Sequence, residues 1–152
     1  MNPDKWLDNK TIVIMGGTTG LGLSAAKAFV AQGAKVVAVG RNAESCLQAQ
    51  SSLGNAAYVL EGDATESHTA DKAIQIALEK FGSFEGLYHV AGGSGRKYGD
   101  GPLHELSLEG WNKTFELNLS SLMLSNQAAV KQFLAQNTSG TILNMSSVLG
   151  YS

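Results

Sequence analysis

The stretch TIVIMGGTTGLG, Thr11 to Gly22, decides the fold of this chain. An apolar run, Ile12-Val13-Ile14-Met15, leads into glycines at positions 16, 17, 20 and 22, and LSAAKAFVAQG comes next as an amphipathic helix. Strand, glycine turn and helix in that order bring backbone N–H groups and a helix N-terminus up to a phosphate. Glycine is required where the chain turns with positive φ and where a side chain would strike the ligand. The spacing is not GxGxxG, and a Walker A loop is excluded because no Gly-Lys-Ser/Thr follows. The alternative is a turn that merely packs helix against strand. Four glycines in seven residues, flanked by the strand and helix the motif needs, favour phosphate binding.

Outward from this turn, five short apolar runs alternate with helical patterns: Thr11–Met15, Lys35–Val39, Ala57–Leu60, Leu87–Ala91 and Thr141–Met145. None alternates apolar with polar, as expected of strands covered on both faces by helices. The pattern predicts an α/β fold, a doubly wound parallel sheet of order 3-2-1-4-5 in a three-layer αβα sandwich, with right-handed crossovers. Its ligand crevice lies at the strands' carboxyl ends, where the order reverses between the first and fourth strands.

Four helices are expected. The first spans 21–32, with Ala25, Ala28, Phe29 and Gln32 on one face. The second, 43–53, has Asn42 as its N-cap. The third, 66–81, buries Ala70, Ala73, Ile74, Ala77, Leu78 and Phe81 and leaves His68 at the surface; Asp63 and Glu66 read as a capping pair before it. The fourth, 107–136, carries Trp111, Phe115, Leu119, Leu122, Ala129 and Phe133 as a stripe. Asn118 falls on that stripe, so it must be hydrogen-bonded there. His89, inside the fourth strand, reads as a hydrogen-bonded core residue. The loop SGRKYGDGP after it is long enough to carry function, but no partner for Arg96, Lys97 or Tyr98 is identifiable and it reads as solvated.

The 152 residues suit one domain with a real core. Composition is ordinary, 43% hydrophobic and 16% charged; the 18 glycines concentrate at 16–22 and 92–101, as two ligand-facing loops would. A net charge of −2 gives no reason to expect nucleic acid as a partner. No apolar run approaches the roughly 18 residues of a membrane span, and MNPDKWLDNK lacks the apolar core of a signal peptide. The single Cys46 makes no internal disulfide, and no metal-binding spacing is present; a reducing cytoplasm is expected.

Gly16-Gly17-Thr18-Thr19-Gly20-Leu21-Gly22 resembles the TGxxxGxG turn of the short-chain dehydrogenase/reductase family, with Met15 where the family usually has threonine. Three further segments resemble that family. Ala91-Gly92 matches the end of its Asn-Asn-Ala-Gly segment, though His89-Val90 replace the asparagines. Glu116-Leu117-Asn118 aligns with a helix bearing a functional Asn, and Asn144-Met145-Ser146-Ser147-Val148-Leu149-Gly150 with the segment around a catalytic serine.

The resemblance implies a Rossmann-like domain over 1–152, incomplete at its C-terminus. It implies cofactor contacts at Gly16, Gly17, Thr18, Thr19, Gly20, Leu21 and Gly22 in the turn, and at Ala91, Gly92 and Gly93 beside the ribose. Asp63 with Ala64 would lie at the adenine edge. Ser147, with Ser146 as the alternative, would hydrogen-bond the substrate carbonyl, and Asn118 would support an active-site lysine through a water. No Asp or Glu occurs from Gly33 through Ala43 to hold a ribose 2′-hydroxyl, whereas Arg41 suits a 2′-phosphate, so the expected cofactor is NADP rather than NAD. Arg41 as a solvated residue is the alternative.

The implied activity is hydride transfer between the nicotinamide and a small-molecule carbonyl or alcohol, in a homo-oligomer. The family's Tyr-x-x-x-Lys pair is not found within the 152 residues, since no lysine follows Tyr151. The chain alone is therefore expected to be inactive, and to self-associate through its last strand or the helix over 107–136. A non-catalytic dinucleotide-binding module is the rival reading. A methyltransferase-like fold is more distant, because the ribose-binding acid after the second strand is missing.

Overall fold

The structure is a computed structural model describing residues 5–147. Five parallel strands form one sheet in the order β3-β2-β1-β4-β5. They are β1 (Thr11–Met15), β2 (Lys35–Gly40), β3 (Ala57–Glu61), β4 (Gly86–His89) and β5 (Thr141–Asn144). The helices are α1 (Gly20–Ala31), α2 (Ala43–Leu53), α3 (Thr69–Phe81), α4 (Leu108–Phe115) and α5 (Ser121–Ala135). A π-helical turn, Glu116–Ser120, joins the last two. The doubly wound, three-layer architecture expected from the alternating runs is the one observed.

The central strands bury both faces because each residue's side chain points opposite to its neighbour's and both sides are roofed by helices. Val13, Met15, Val37 and Leu87 pack under α3 and α5, with Ala73, Ile74, Ala77, Ala129 and Phe133. Ile14, Val36, Ala38 and Tyr88 pack on the other side with Ala26 of α1 and Leu53 of α2. Phe84 and Phe133 stack with ring centroids 4.9 Å apart and seat α5 on the sheet. The Asn42 side chain caps α2 as expected, accepting the Ser45 N–H at 2.8 Å.

Four details differ from the sequence reading. Helix α1 presents Gly22 and Ala26 as its buried residues; of the expected face, Ala25 and Phe29 pack beside them with Leu23 and Val30, and Ala28 is exposed. Its packing face starts at Gly22, whose missing side chain lets the helix touch the turn, and recurs from there at helical spacing. Helix α3 begins at Thr69 rather than 66; its N-cap position is His68, and Asp63 folds into a separate turn before it.

The helix over 107–136 is broken by the π-turn, whose extra residue rotates everything before it relative to α5. Trp111, Phe115 and Leu119 are therefore exposed, while Ser121, Ser125, Ala128, Ala129 and Phe133 form the buried stripe. Asn118 is half-buried rather than buried. Finally, β5 does not have two covered faces: Thr141, Leu143 and Asn144 are exposed and only Ile142 is half-buried. Among the described residues it pairs with β4 alone.

Candidate functional site

The crevice opens where β1 and β4 diverge at their carboxyl ends. The Gly16 and Gly17 N–H groups both donate to the Val39 carbonyl, at 3.0 and 2.9 Å, and the Val90 and Ala91 N–H groups both donate to the Met15 carbonyl at 2.9 Å. These bonds fix three strand ends around one turn. Gly16 has φ +85°, and a Cβ there would lie 2.8 Å from the Ala91 nitrogen. A Cβ on Gly22 would run into the Gly16 carbonyl oxygen, so α1 can start this close to the turn only with glycine.

The N-terminus of α1 is open. Thr19 holds the N-cap position without a side-chain cap bond, and the first turn carries no acid. A Cβ on Gly20 would meet nothing within 4 Å, so open space faces the helix end. Uncapped N–H groups and the positive end of a helix dipole are features that attract an anion.

The space is a cleft of about 320 Å³. Gly16, Thr18, Thr19, Gly20, Leu21 and Gly22 line one side. Arg41, Asp63 and Ala64 line another, and Ala91 and Gly92 a third. Gly17 alone of the expected turn residues lies behind the lining, where a Cβ would come 2.9 Å from the Ala38 Cβ. Sequence reasoning did not single out Gly62, Thr65, Leu117 or Ser121, which also line it. Thr65 was within reach of the sequence, since an Asp two residues before a Thr is an Asx-turn signal.

Asp63 accepts the Thr65 N–H at 2.9 Å and the Thr65 hydroxyl at 2.8 Å, an Asx turn in place of the expected capping pair. Its other oxygen stands 3.5 Å from the Arg41 guanidinium. Partial burial pushes the carboxyl up, but the Thr65 bonds and Arg41 outweigh that and hold it below the ordinary carboxylate value. Arg41 and Asp63 also line a neighbouring cleft of about 350 Å³ with Lys97, Tyr98 and Lys113.

Gly93 is held by Asn118. The Asn118 amide donates to the Gly93 carbonyl at 2.7 Å and to the Thr114 carbonyl at 2.8 Å, and its oxygen accepts the Gly93 N–H at 3.1 Å. Asn118 and Ser147 line a third cleft, about 730 Å³, with Gly93, Ser94, Arg96 and Asp100. Ser147, not Ser146, is the hydroxyl that lines it. Tyr151 lies outside the described residues. Arg96, Lys97 and Tyr98 are exposed, as the solvated reading expects, but the loop backbone is tied down. Ser107 donates to the Tyr98 carbonyl at 2.7 Å, and Thr114 donates to Asp100 at 2.8 Å. Arg96 lines the third cleft and Lys97 the neighbouring one. Among the described residues no group of His, Cys, Asp and Glu could hold a metal ion.

His89 is a core residue, as expected, 2% exposed beside Ser121 and Ser125. Burial pushes its imidazole below the ordinary histidine value, against a backbone hydrogen bond at Ala91 that pulls it up.

A family model described as short chain dehydrogenase matches residues 10–152. The chain belongs to the short-chain dehydrogenase family. Among its relatives in that family, a 2,5-dichloro-2,5-cyclohexadiene-1,4-diol dehydrogenase of Sphingobium indicum is 34% identical over 147 residues, covering 95% of this chain and 57% of its own. A sorbitol dehydrogenase of Cereibacter sphaeroides is 29% identical over 144 residues, covering 95% and 55%. A crystal structure of a short chain dehydrogenase from Bacillus anthracis superposes with TM-score 0.85 at 27% identity, covering 95% of this chain and 58% of that one. A short-chain type dehydrogenase/reductase from Mycobacterium ulcerans gives TM-score 0.84 at 28% identity, covering 93% and 52%. The chain thus spans a little over half the length of these short-chain dehydrogenases. No described helix is long and apolar enough to cross a membrane.

Proposed function

We propose that the protein is an NADP-dependent oxidoreductase that moves hydride between the nicotinamide and a carbonyl or alcohol carbon of a small molecule. The observation that carries this reading is the uncapped α1 N-terminus opening onto a cleft that has Arg41 and no acid at the end of β2. The residues present suit a dinucleotide. The Gly16–Gly22 turn and the α1 N-terminus would hold the pyrophosphate. Arg41 would meet the 2′-phosphate, Asp63 and Ala64 would border the adenine, and Ala91, Gly92 and Gly93 would lie near a ribose. Bound there, the cofactor supplies the hydride.

The chain's own residues then bind and orient. Ser147 directs its hydroxyl at the substrate oxygen, where charge develops during reduction. In this reading its role is hydrogen bonding to that oxygen. Asn118 fixes the Gly93 backbone between the two clefts. The exposed Trp111, Phe115 and Leu119, whose apolar area exceeds what single surface residues need, support a homo-oligomer built on α4 and α5. One domain over 1–152 accounts for the single sheet, and a cytoplasmic setting suits the lone, buried Cys46.

The test is NADPH oxidation by the full gene product over a panel of aldehydes and ketones. Turnover that falls about 10²-fold or more in Ser147→Ala is the expected result. Tight dinucleotide binding without turnover on any carbonyl would instead make this a non-catalytic binding module. Turnover untouched by Ser147→Ala would remove the serine from the reaction.

A further inference from the structure

We propose that His89 and Ser121 are positioning residues that hold the π-turn at 116–120 and, through it, keep Asn118 clamped on Gly93. Only the consequence for cofactor binding rests on the proposed function; the clamp itself is a property of this chain.

In the π-turn the Ser121 N–H reaches back to the Glu116 carbonyl, one residue beyond its α-helical partner. That partner, the Leu117 carbonyl, is left without the N–H a regular helix would give it. The Ser121 hydroxyl supplies the missing bond, donating to Leu117 at 2.7 Å. With its hydrogen so committed, Ser121 Oγ meets His89 Nε2, 3.3 Å away, only as an acceptor. The ring's backbone hydrogen bond at Ala91 also calls for a protonated ring nitrogen; with Ser121 accepting, that nitrogen is Nε2, and the Nδ1 of a neutral imidazole must accept. Ser125 Oγ lies 2.8 Å from Nδ1 and is the donor. Ser125 can turn to it because its other partner, the Leu122 carbonyl, lies within the regular part of α5, where Asn126 N–H also reaches it.

The result is a directed chain, Ser125 to His89 to Ser121 to the Leu117 carbonyl. Its three side chains are no more than 2% exposed, so water does not replace a lost member. One turn before Ser121, Asn118 makes its three bonds to Gly93 and Thr114. Were the π-turn to relax into an α-helix, the segment before it would rotate by about 100° relative to α5 and carry Asn118 off Gly93. The relay thus fixes which way Asn118 points, although neither His89 nor Asn118 touches the other.

The test combines nitrogen NMR of the wild-type histidine ring with amide exchange in Ser121→Ala and Ser121→Thr. Three results are expected. His89 carries its proton on Nε2, with Nδ1 bare. The Gly93 amide loses about tenfold or more of its exchange protection in Ser121→Ala, while Val13 and Ile14 in β1 keep theirs. Ser121→Thr, which keeps the hydroxyl, stays within about twofold of wild type. A proton on Nδ1 of neutral His89 overturns the proposal without recourse to any variant. An unchanged Gly93 amide in a folded Ser121→Ala protein overturns it as well. Because neither readout needs cofactor, a chain that binds no dinucleotide would refute the proposed function and leave this result standing; if NADPH does bind, Ser121→Ala weakens it about three- to tenfold.

Discussion

Removing the Arg41 guanidinium should erase the preference for NADPH over NADH. In the structure Arg41 stands 3.5 Å from Asp63, and the two side chains are 61% and 36% exposed. An exposed pair of that kind contributes at most about 1 kcal/mol. A 2′-phosphate offers the guanidinium charge-assisted hydrogen bonds worth about 1.5–3 kcal/mol. Drawing Arg41 from Asp63 to the phosphate therefore leaves about 0.5–2 kcal/mol, a preference of roughly two- to thirtyfold. Arg41→Ala should bring the ratio of the two dissociation constants near one, chiefly by weakening NADPH. Asp63→Asn should raise the ratio about threefold, because it frees the guanidinium and removes a like charge beside the phosphate. Taking the ratio cancels any loss of adenine contact at Asp63, which both cofactors share. Both constants can be measured by isothermal titration at two salt concentrations, and the preference should shrink at the higher one. A ratio that Arg41→Ala leaves unchanged would refute the assignment of Arg41 to the 2′-phosphate.

The same geometry sets three further outcomes. Gly22→Ala places a methyl group against the Gly16 carbonyl; it should destabilise the fold by about 1–3 kcal/mol and abolish dinucleotide binding, as read by chemical denaturation and titration of the folded fraction. His89 has its pKa lowered by burial, so the unfolded chain binds more protons than the native one between the native pKa and about 6.5. Stability should therefore decline as pH falls below about 6.5 and recover as pH rises; denaturation midpoints across that window should be flatter in His89→Asn. Light scattering should show self-association that Trp111→Glu with Phe115→Glu reduces, since both exposed rings lie on one face with centroids 4.4 Å apart; a monomeric wild type would remove the role given to that face.

The sheet was readable from sequence because its signals are local. Runs such as Ile12–Met15 and Val36–Val39 are too uniformly apolar for a half-exposed strand, and the glycine turn leaves room for little but a helix after it. The turn's contribution to the site was legible for the same reason: Gly16 and Gly22 are demanded by contacts within the crevice itself. What sequence missed depends on distant contacts or on one displaced hydrogen bond. The π-turn has no compositional mark, yet it shifts the buried stripe of the last helix from Trp111, Phe115 and Leu119 to Ser121 and Ser125. Ser121, which the sequence did not mark, is buried and lines the cleft. The exposure of β5 could not be seen in TILNM, because burial of a strand is set by its neighbours rather than by its own residues.

The central claim is that a phosphorylated dinucleotide lies across the Gly16–Gly22 turn. Titrating NADPH into the isotopically labelled chain and tracking backbone amide shifts tests it directly. Saturable shifts concentrated at 16–22, at Arg41, at 62–65 and at 90–93 are expected. Shifts confined to the groove formed by Trp6, Phe29 and Tyr88 at the far end of the sheet, or no saturable shift at all, would contradict it.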